Sequence, residues 1–331
     1  MKKKLIAMLL SAAMCLSLAA CGQKADTPDT TDPAEPSGDA ATYTVGICQL
    51  VQHEALDAAT QGFIDALNEA LPGQVKIEEK NASGDSNSCA TIVNGFVSDG
   101  VDLILANATP ALQAAVAATD SIPILGTAVT EYGVALDIKD FNGTVGGNVS
   151  GTSDLAPLDQ QAAMILELFP DAKKVGILYC SAEPNSVYQS DVVKAELEKS
   201  GVTVSVYTFA DSNDVAAVTA TACDENDVLY IPTDNTAASC TEAINNVAEP
   251  AGVPIIAGEE GICAGCGVAT LSINYYDLGV TTGKMAAKIL TGEANISEMP
   301  IEYFPDPVKK YNPAICEALG ITVPEDYVAI G

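Results

Sequence analysis

From residue 43 onward, short runs of apolar residues alternate with longer stretches of helical period. That alternation predicts βαβ units built on parallel sheets. The apolar runs fall into two sets. The first is TVGICQL, VKIEEKN, VDLILAN and IPILGTA; the second is KVGILYC, VTVSVYTF, DVLYIPT and VPIIAGE. Gly46 answers to Gly176 and Asp102 to Asp227, offsets of 130 and 125 residues. The intervening SGDSNS (83–88) and ADSNDV (210–215) match as well, each offering Ser, Asp or Asn to cap a helix. The pattern predicts an α/β protein of two Rossmann-like lobes with the same topology.

The chain must cross between the lobes. NVSGTSDLAPLDQQ (148–161) separates the two copies, VATLSINYYDLG (268–279) leads into the helix VTTGKMAAKILTGE, and IEYFPDPVKKYN (301–312) supplies a third passage. Three crossings predict a hinge, with lobe 1 formed by residues 43–153 plus 276–302 and lobe 2 by residues 154–275 plus 303–331. Open parallel sheets bind ligands beyond the carboxyl ends of their strands, so the facing strand tips should line a cleft. Lobe 1 offers Gln49 to His53, Asn107 to Pro110 and Thr127 to Thr130; lobe 2 offers Cys180 to Ser186, Thr233 to Asn235 and Gly258 to Glu260.

The amino terminus predicts where the chain works. Residues 1–20 place three lysines before sixteen uncharged residues, too short for a membrane span and laid out as a secretory signal. The segment LAAC, Leu18 to Cys21, resembles a bacterial lipobox, which implies cleavage before Cys21 and diacylglycerol on its sulfur. Residues 21–42 are rich in Pro, Asp, Thr and Ala and predict a disordered tether holding the body away from an extracytoplasmic membrane face. Net charge is −29, with lysine as the sole basic residue type, and loss of the three signal lysines makes it −32. Such a surface excludes nucleic acid as a partner.

GICQLVQHEALDAATQGF, PTDNTAAS, AGEEG and YYDLGVTTGKMAAKIL together resemble the tryptophan/tyrosine ABC transporter substrate-binding family, from residue 43 to about 324. The resemblance implies a type I periplasmic-binding fold and a lipoprotein, expected to be a monomer, that hands an amino acid to an ABC permease. The family's usual segment carries Glu before the histidine and Pro after it; here Gln52 and Glu54 flank His53. An amino acid presents an ammonium, which needs a carboxylate when buried. Asp234 at a strand tip is the first choice and Glu259 the second, although Asp234 equally suits a helix N-cap. With no arginine to fork the ligand carboxylate, backbone N–H groups at helix starts and Ser or Thr hydroxyls must hold it. The expected ligand-binding set is Gln49, His53, Thr109, Thr127, Asp154, Asn185, Ser186, Asp234, Asn235 and Glu259, with Tyr188, Tyr275 and Tyr276 available for stacking.

Catalysis finds little to use. There is one histidine, no GxSxG and no metal-spaced ligand set, so no enzyme activity, cofactor or metal is expected. Competing readings are a sugar or nucleoside binder on the same fold and a lipoprotein sensor. Beyond Cys15 and Cys21, eight cysteines remain, and their spacing shows no disulfide framework. CAGC (263–266) is expected to be a loop carrying two thiols that can oxidise to each other.

Overall fold

The computed structural model describes residues 43–304 and 306–331; the signal segment, Cys21 and the tether lie outside the described residues. The first lobe runs β1 (Tyr43–Gln49), α1 (Glu54–Ala70), β2 (Val75–Asn81), α2 (Ser86–Asp99), β3 (Leu103–Asn107), α3 (Thr109–Ala118), β4 (Ile124–Val129), α4 (Tyr132–Ala135) and β5 (Val149–Ser153). The second runs α5 (Leu158–Leu168), β6 (Lys174–Cys180), α6 (Pro184–Lys199), β7 (Thr203–Phe209), α7 (Val215–Glu225), β8 (Val228–Ile231), α8 (Asn235–Ala238), α9 (Thr241–Ala251), β9 (Ile255–Ala257), α10 (Glu260–Cys266) and β10 (Ala269–Ser272). The chain then returns to the first lobe as α11 (Tyr275–Leu290) and β11 (Glu302–Tyr303). It finishes in the second as β12 (Val308–Tyr311), α12 (Pro313–Leu319) and β13 (Val328–Ala329).

One sheet has the order β11-β5-β4-β3-β1-β2 and the other β13-β12-β10-β9-β8-β6-β7. Every pairing is parallel except β10 with β12. The inner strands are largely apolar because helices cover both faces: LILAN in β3 and ILGTAV in β4 are buried at every position. The edge strands β2 and β7 instead expose polar side chains. Eight strands predicted from apolar runs appear where expected, four to a lobe.

Two further strands sit where the sequence predicts crossings. VSGTS (β5) and ATLS (β10) carry too few large apolar groups to announce themselves, yet all nine residues are buried between neighbouring strands. Sheet pairing, not side-chain character, makes them strands. The chain therefore passes between lobes at residues 154–157 and 273–274, and again between β11 and β12, beyond the strand tips.

Helix α11 is bolted to α1 by glycines. A Cβ on Gly62 would lie 2.1 Å from the Tyr276 carbonyl oxygen, and one on Gly279 would lie 2.0 Å from that of Ala59. The two backbones touch where any side chain would separate them. This contact locks the returning segment to the first lobe and fixes where Tyr275 enters the cleft. In the second lobe, buried Gln161 donates from Nε2 to the carbonyls of Gly258 and Leu271, both at 3.1 Å, and accepts from the Tyr230 hydroxyl at 2.5 Å. That amide stitches α5 to three strands beneath the cleft.

CAGC belongs to helix α10 rather than to a loop. Cys263 and Cys266 are separate buried thiols, bonded to the carbonyls of Gly267 and Ile262. All eight described cysteines are free. Among the described residues no helix is long and apolar enough to cross a membrane, and no cluster of His, Cys, Asp and Glu has metal-binding geometry.

Candidate functional site

Between the lobes lies a tight, nearly closed cavity lined by His53, Leu56, Ala128, Thr130, Asp154, Asn185, Thr233, Asp234, Asn235, Ala238, Glu259 and Tyr275. Each comes from a strand tip, from the opening turn of the helix that follows one, or from a hinge segment, as the topology requires. His53 occupies the N-cap position of α1 without a side-chain capping bond, which leaves its ring to reach across the cleft. The register of β4 slips between Gly126 and Val129, with Ala128 at φ 51°, and this bulge turns Ala128 and Thr130 into the cavity wall. Asp154 follows β5 at the first crossing and Tyr275 opens α11 at the second. The Tyr275 hydroxyl donates to Asp154 Oδ2 at 2.9 Å, so two hinge segments meet at the cavity wall.

Two carboxylates of the second lobe are fully occupied by architecture. Asp234 accepts from the backbone N–H of Cys180 (2.8 Å), the hydroxyl of Ser186 (2.7 Å) and the backbone N–H of Ala237 (2.7 Å). It is the N-cap of α8, and burial, followed by the nearby Glu183 carboxylate, pushes it up to about 8. Glu259 caps α10 through the N–H groups of Gly261 and Ile262, at 2.6 and 2.5 Å, and burial pushes it up to about 7. The ammonium partner expected at Asp234 therefore has its oxygens turned into the lobe, because the short α8 offers N–H groups to the nearest carboxylate.

Three buried polar atoms of the lining residues have no partner in the protein: Asp154 Oδ1, Asn185 Oδ1 and His53 Nδ1. Their chemistry is fixed by their other atoms. Asn185 Nδ2 donates to the Thr233 carbonyl at 2.9 Å, so Oδ1 is the end left without a partner. Asn235 Nδ2 donates to Glu183 Oε2 at 2.7 Å, so its Oδ1 must accept from His53 Nε2 at 3.2 Å. His53 thus carries its proton on Nε2, and Nδ1 offers a lone pair. Burial lowers the imidazole pKa and keeps the ring neutral. Burial also raises the Asp154 carboxyl, opposed by the nearby hydroxyls of Tyr275 and Thr130. All three orphan atoms are acceptors, and buried acceptors without donors are costly.

Six of the ten expected site residues line this cavity: His53, Asp154, Asn185, Asp234, Asn235 and Glu259. Four do not. Gln49 donates to Asp57 and the Val51 carbonyl and accepts from Thr60, which ties β1 to α1. Thr127 bonds to Thr152 and Thr282 inside the first lobe, Ser186 to Asp234, and Thr109 is buried at the start of α3. These short polar chains face the helices beneath the tips. Of the three tyrosines, Tyr275 lines the cavity, Tyr276 bonds to Asp65 on the surface, and Tyr188 lies in a separate groove with Tyr303. Glu183 lies in the predicted tip 180–186 but was not among the expected site residues. It accepts from the N–H groups of Asn235 and Thr236 (3.0 and 2.9 Å), from Asn235 Nδ2 and from Thr236 Oγ1. The EP pair before a helix was its sole signal.

A model of the family described as ABC transporter substrate binding protein matches residues 44–330. The chain belongs to that family. Among its relatives is a tyrosine-binding protein of Clostridioides difficile, 35% identical over 303 residues that cover 90% of this chain and 87% of the relative. A solved ABC domain from Streptococcus pneumoniae in complex with L-Trp is 35% identical, with a TM-score of 0.82 over 86% of this chain and 97% of that one. The ligand-free, open structure of a substrate-binding protein with adhesive properties from Clostridium difficile is 37% identical. Its TM-score is 0.66, over 87% of this chain and 99% of that one. Although slightly less identical to it, this substrate-binding protein superposes better on the liganded structure than on the open one. Its fold is the type I periplasmic-binding fold of two parallel-sheet lobes. The closed arrangement agrees with direct contacts across the cleft, His53 with Asn235 and Thr130 with Thr233 (3.5 Å between hydroxyls).

Proposed function

We propose that this protein captures an aromatic amino acid, tryptophan or tyrosine, in the interlobe cavity and delivers it to an ABC permease. The carrying observation is the trio of orphan acceptors. An α-ammonium has three N–H donors, and Asp154 Oδ1, Asn185 Oδ1 and His53 Nδ1 are three buried acceptors on residues that line one cavity. Asp154 supplies the charge that a buried ammonium demands. The ligand carboxylate is left to the hydroxyls of Thr130 and Thr233, and the side chain to the ring of Tyr275 with Leu56, Ala128 and Ala238. The tyrosine-binding relative and the L-Trp complex support an aromatic side chain. The lipobox-like segment at Leu18 to Cys21 supports a lipid anchor on the extracytoplasmic membrane face, with residues 22–42 as the tether.

The test is a ligand screen on residues 22–331. Melting temperature is followed against the twenty amino acids, sugars and nucleosides, and the hits are titrated by calorimetry. A ligand at 100 times its Kd stabilises by about 2.7 kcal/mol. L-tryptophan or L-tyrosine should shift the melt, and 3-(4-hydroxyphenyl)propanoate, which lacks the ammonium, should not. Stabilisation by a sugar alone would overturn the proposal, since a neutral ligand leaves Asp154 unpaired.

A further inference from the structure

We propose that His53 and Asn235 form a latch between the lobes that the ligand's ammonium sets through the two nitrogens of one imidazole ring. The inference rests on the amino-acid reading above and concerns how binding is coupled to closure.

The latch is a relay of fixed donors and acceptors. It begins at Glu183, 3% exposed, whose two oxygens hold the first turn of α8 by four hydrogen bonds from Asn235 and Thr236. One of those bonds, Asn235 Nδ2 to Glu183 Oε2 at 2.7 Å, sets the amide so that Oδ1 points to the other lobe. There it meets His53 Nε2 at 3.2 Å, a contact spanning residues 182 apart in sequence. The far side of the same ring is Nδ1, buried and unpartnered at the cavity. Glu183 is thus a positioning residue, Asn235 the strike plate and His53 the bolt.

Coupling follows from the ring's own chemistry. A neutral imidazole has one donor and one acceptor nitrogen. Asn235 accepts, so the closed state demands the Nε2–H tautomer, and that tautomer leaves Nδ1 as the acceptor. In an empty closed protein Nδ1 has no donor, which disfavours closure. An ammonium that donates to Nδ1 removes that penalty. It also polarises the ring and strengthens the Nε2–H bond to Asn235. A ligand without N–H donors at this point cannot do either, so the latch discriminates primary amines from isosteric acids through closure rather than through contact alone.

His53 is the sole histidine in the chain, so a single imidazole reports the latch. Residues 22–331 labelled with ¹⁵N-histidine are followed by NMR with and without L-tryptophan and L-tyrosine, while calorimetry measures binding on the same sample. The bound state should show one neutral Nε2–H tautomer with a slowly exchanging Nε2 proton and a hydrogen-bonded Nδ1. Asn235→Ala keeps the backbone N–H that Glu183 holds. It should raise Kd about tenfold, mainly through faster dissociation, and leave the bound ring's Nε2 proton unprotected, so that it exchanges rapidly with solvent. A melting temperature near that of the native protein shows that the variant folds. If the amino acids bind by calorimetry but the imidazole signals do not change, or if Nδ1 carries the proton, the latch is wrong while the binding function stands. If neither amino acid binds, the functional reading fails and the latch falls with it.

Discussion

The most exposed step in the reasoning is the assignment of the ammonium to Asp154 rather than to Asp234, and Asp154→Asn tests it. Asp154 is 5% exposed, its Oδ2 accepts from Tyr275 at 2.9 Å, and its Oδ1 has no partner. Asparagine keeps the shape and can still accept the tyrosine hydroxyl, so the change removes charge with little repacking. Truncating one partner of a buried, hydrogen-bonded charge pair costs about 2–5 kcal/mol. A charge-assisted hydrogen bond alone contributes about 1.5–3 kcal/mol. Because asparagine retains an acceptor, the loss should sit near 2.7 kcal/mol, about 100-fold in Kd. Isothermal titration with L-tryptophan and L-tyrosine reads it directly. The ligand-free melt supplies the second half of the test. Burial disfavours the Asp154 charge when the cavity is empty, so the variant should melt at or above the temperature of the native protein. Asp234→Asn should behave in the opposite way. It loses a carboxylate that accepts three bonds and caps α8, so it should destabilise the ligand-free protein by about 1–3 kcal/mol. A Kd for Asp154→Asn within threefold of native would refute the assignment, most decisively if Asp234→Asn then weakened binding at unchanged stability.

Three further outcomes are expected. Gly279→Val drives a side chain into the Ala59 carbonyl at the joint of α1 and α11, so it should lower stability by about 1–3 kcal/mol or more in urea unfolding; an unchanged midpoint would mean that the helices are not in backbone contact. In residues 22–331 under native conditions, Ellman's reagent should titrate Cys240 quickly and the other seven described thiols only after denaturation, because Cys240 alone among them is not fully buried. Stability should fall as pH rises from about 4 to about 8. Asp234 at about 8 and Glu259 at about 7 hold protons in the folded state that the unfolded chain releases near its ordinary values of 3.8 and 4.5, and the loss levels off above the folded values. Surface repulsion from the −29 charge acts in the same direction but is screened, so the trend should persist in about 0.5 M salt, and a flat profile there would count against the buried acids.

Much of this protein is legible in its residues alone. Eight apolar runs with repeated spacing determine two parallel sheets, because a strand covered on both faces must be largely apolar. The same topology places the cleft at the strand tips, which is why His53, Asp154, Asn185, Asp234, Asn235 and Glu259 could be named from sequence. The roles within that set were not legible. Asp234 and Asp154 are both acids beside a strand end, and nothing local tells the helix cap from the free carboxylate. The difference is whether three donors from α6, α8 and β6 converge on the group, or one tyrosine does. Likewise Gln49, Thr127 and Ser186 sit at predicted tips but turn toward neighbours that only packing brings near. Strands β5 and β10 needed their partners to exist, having too little apolar surface of their own. Sequence determined what is apolar and where strands end; tertiary structure decided which polar atoms are satisfied, and the unsatisfied ones define the site.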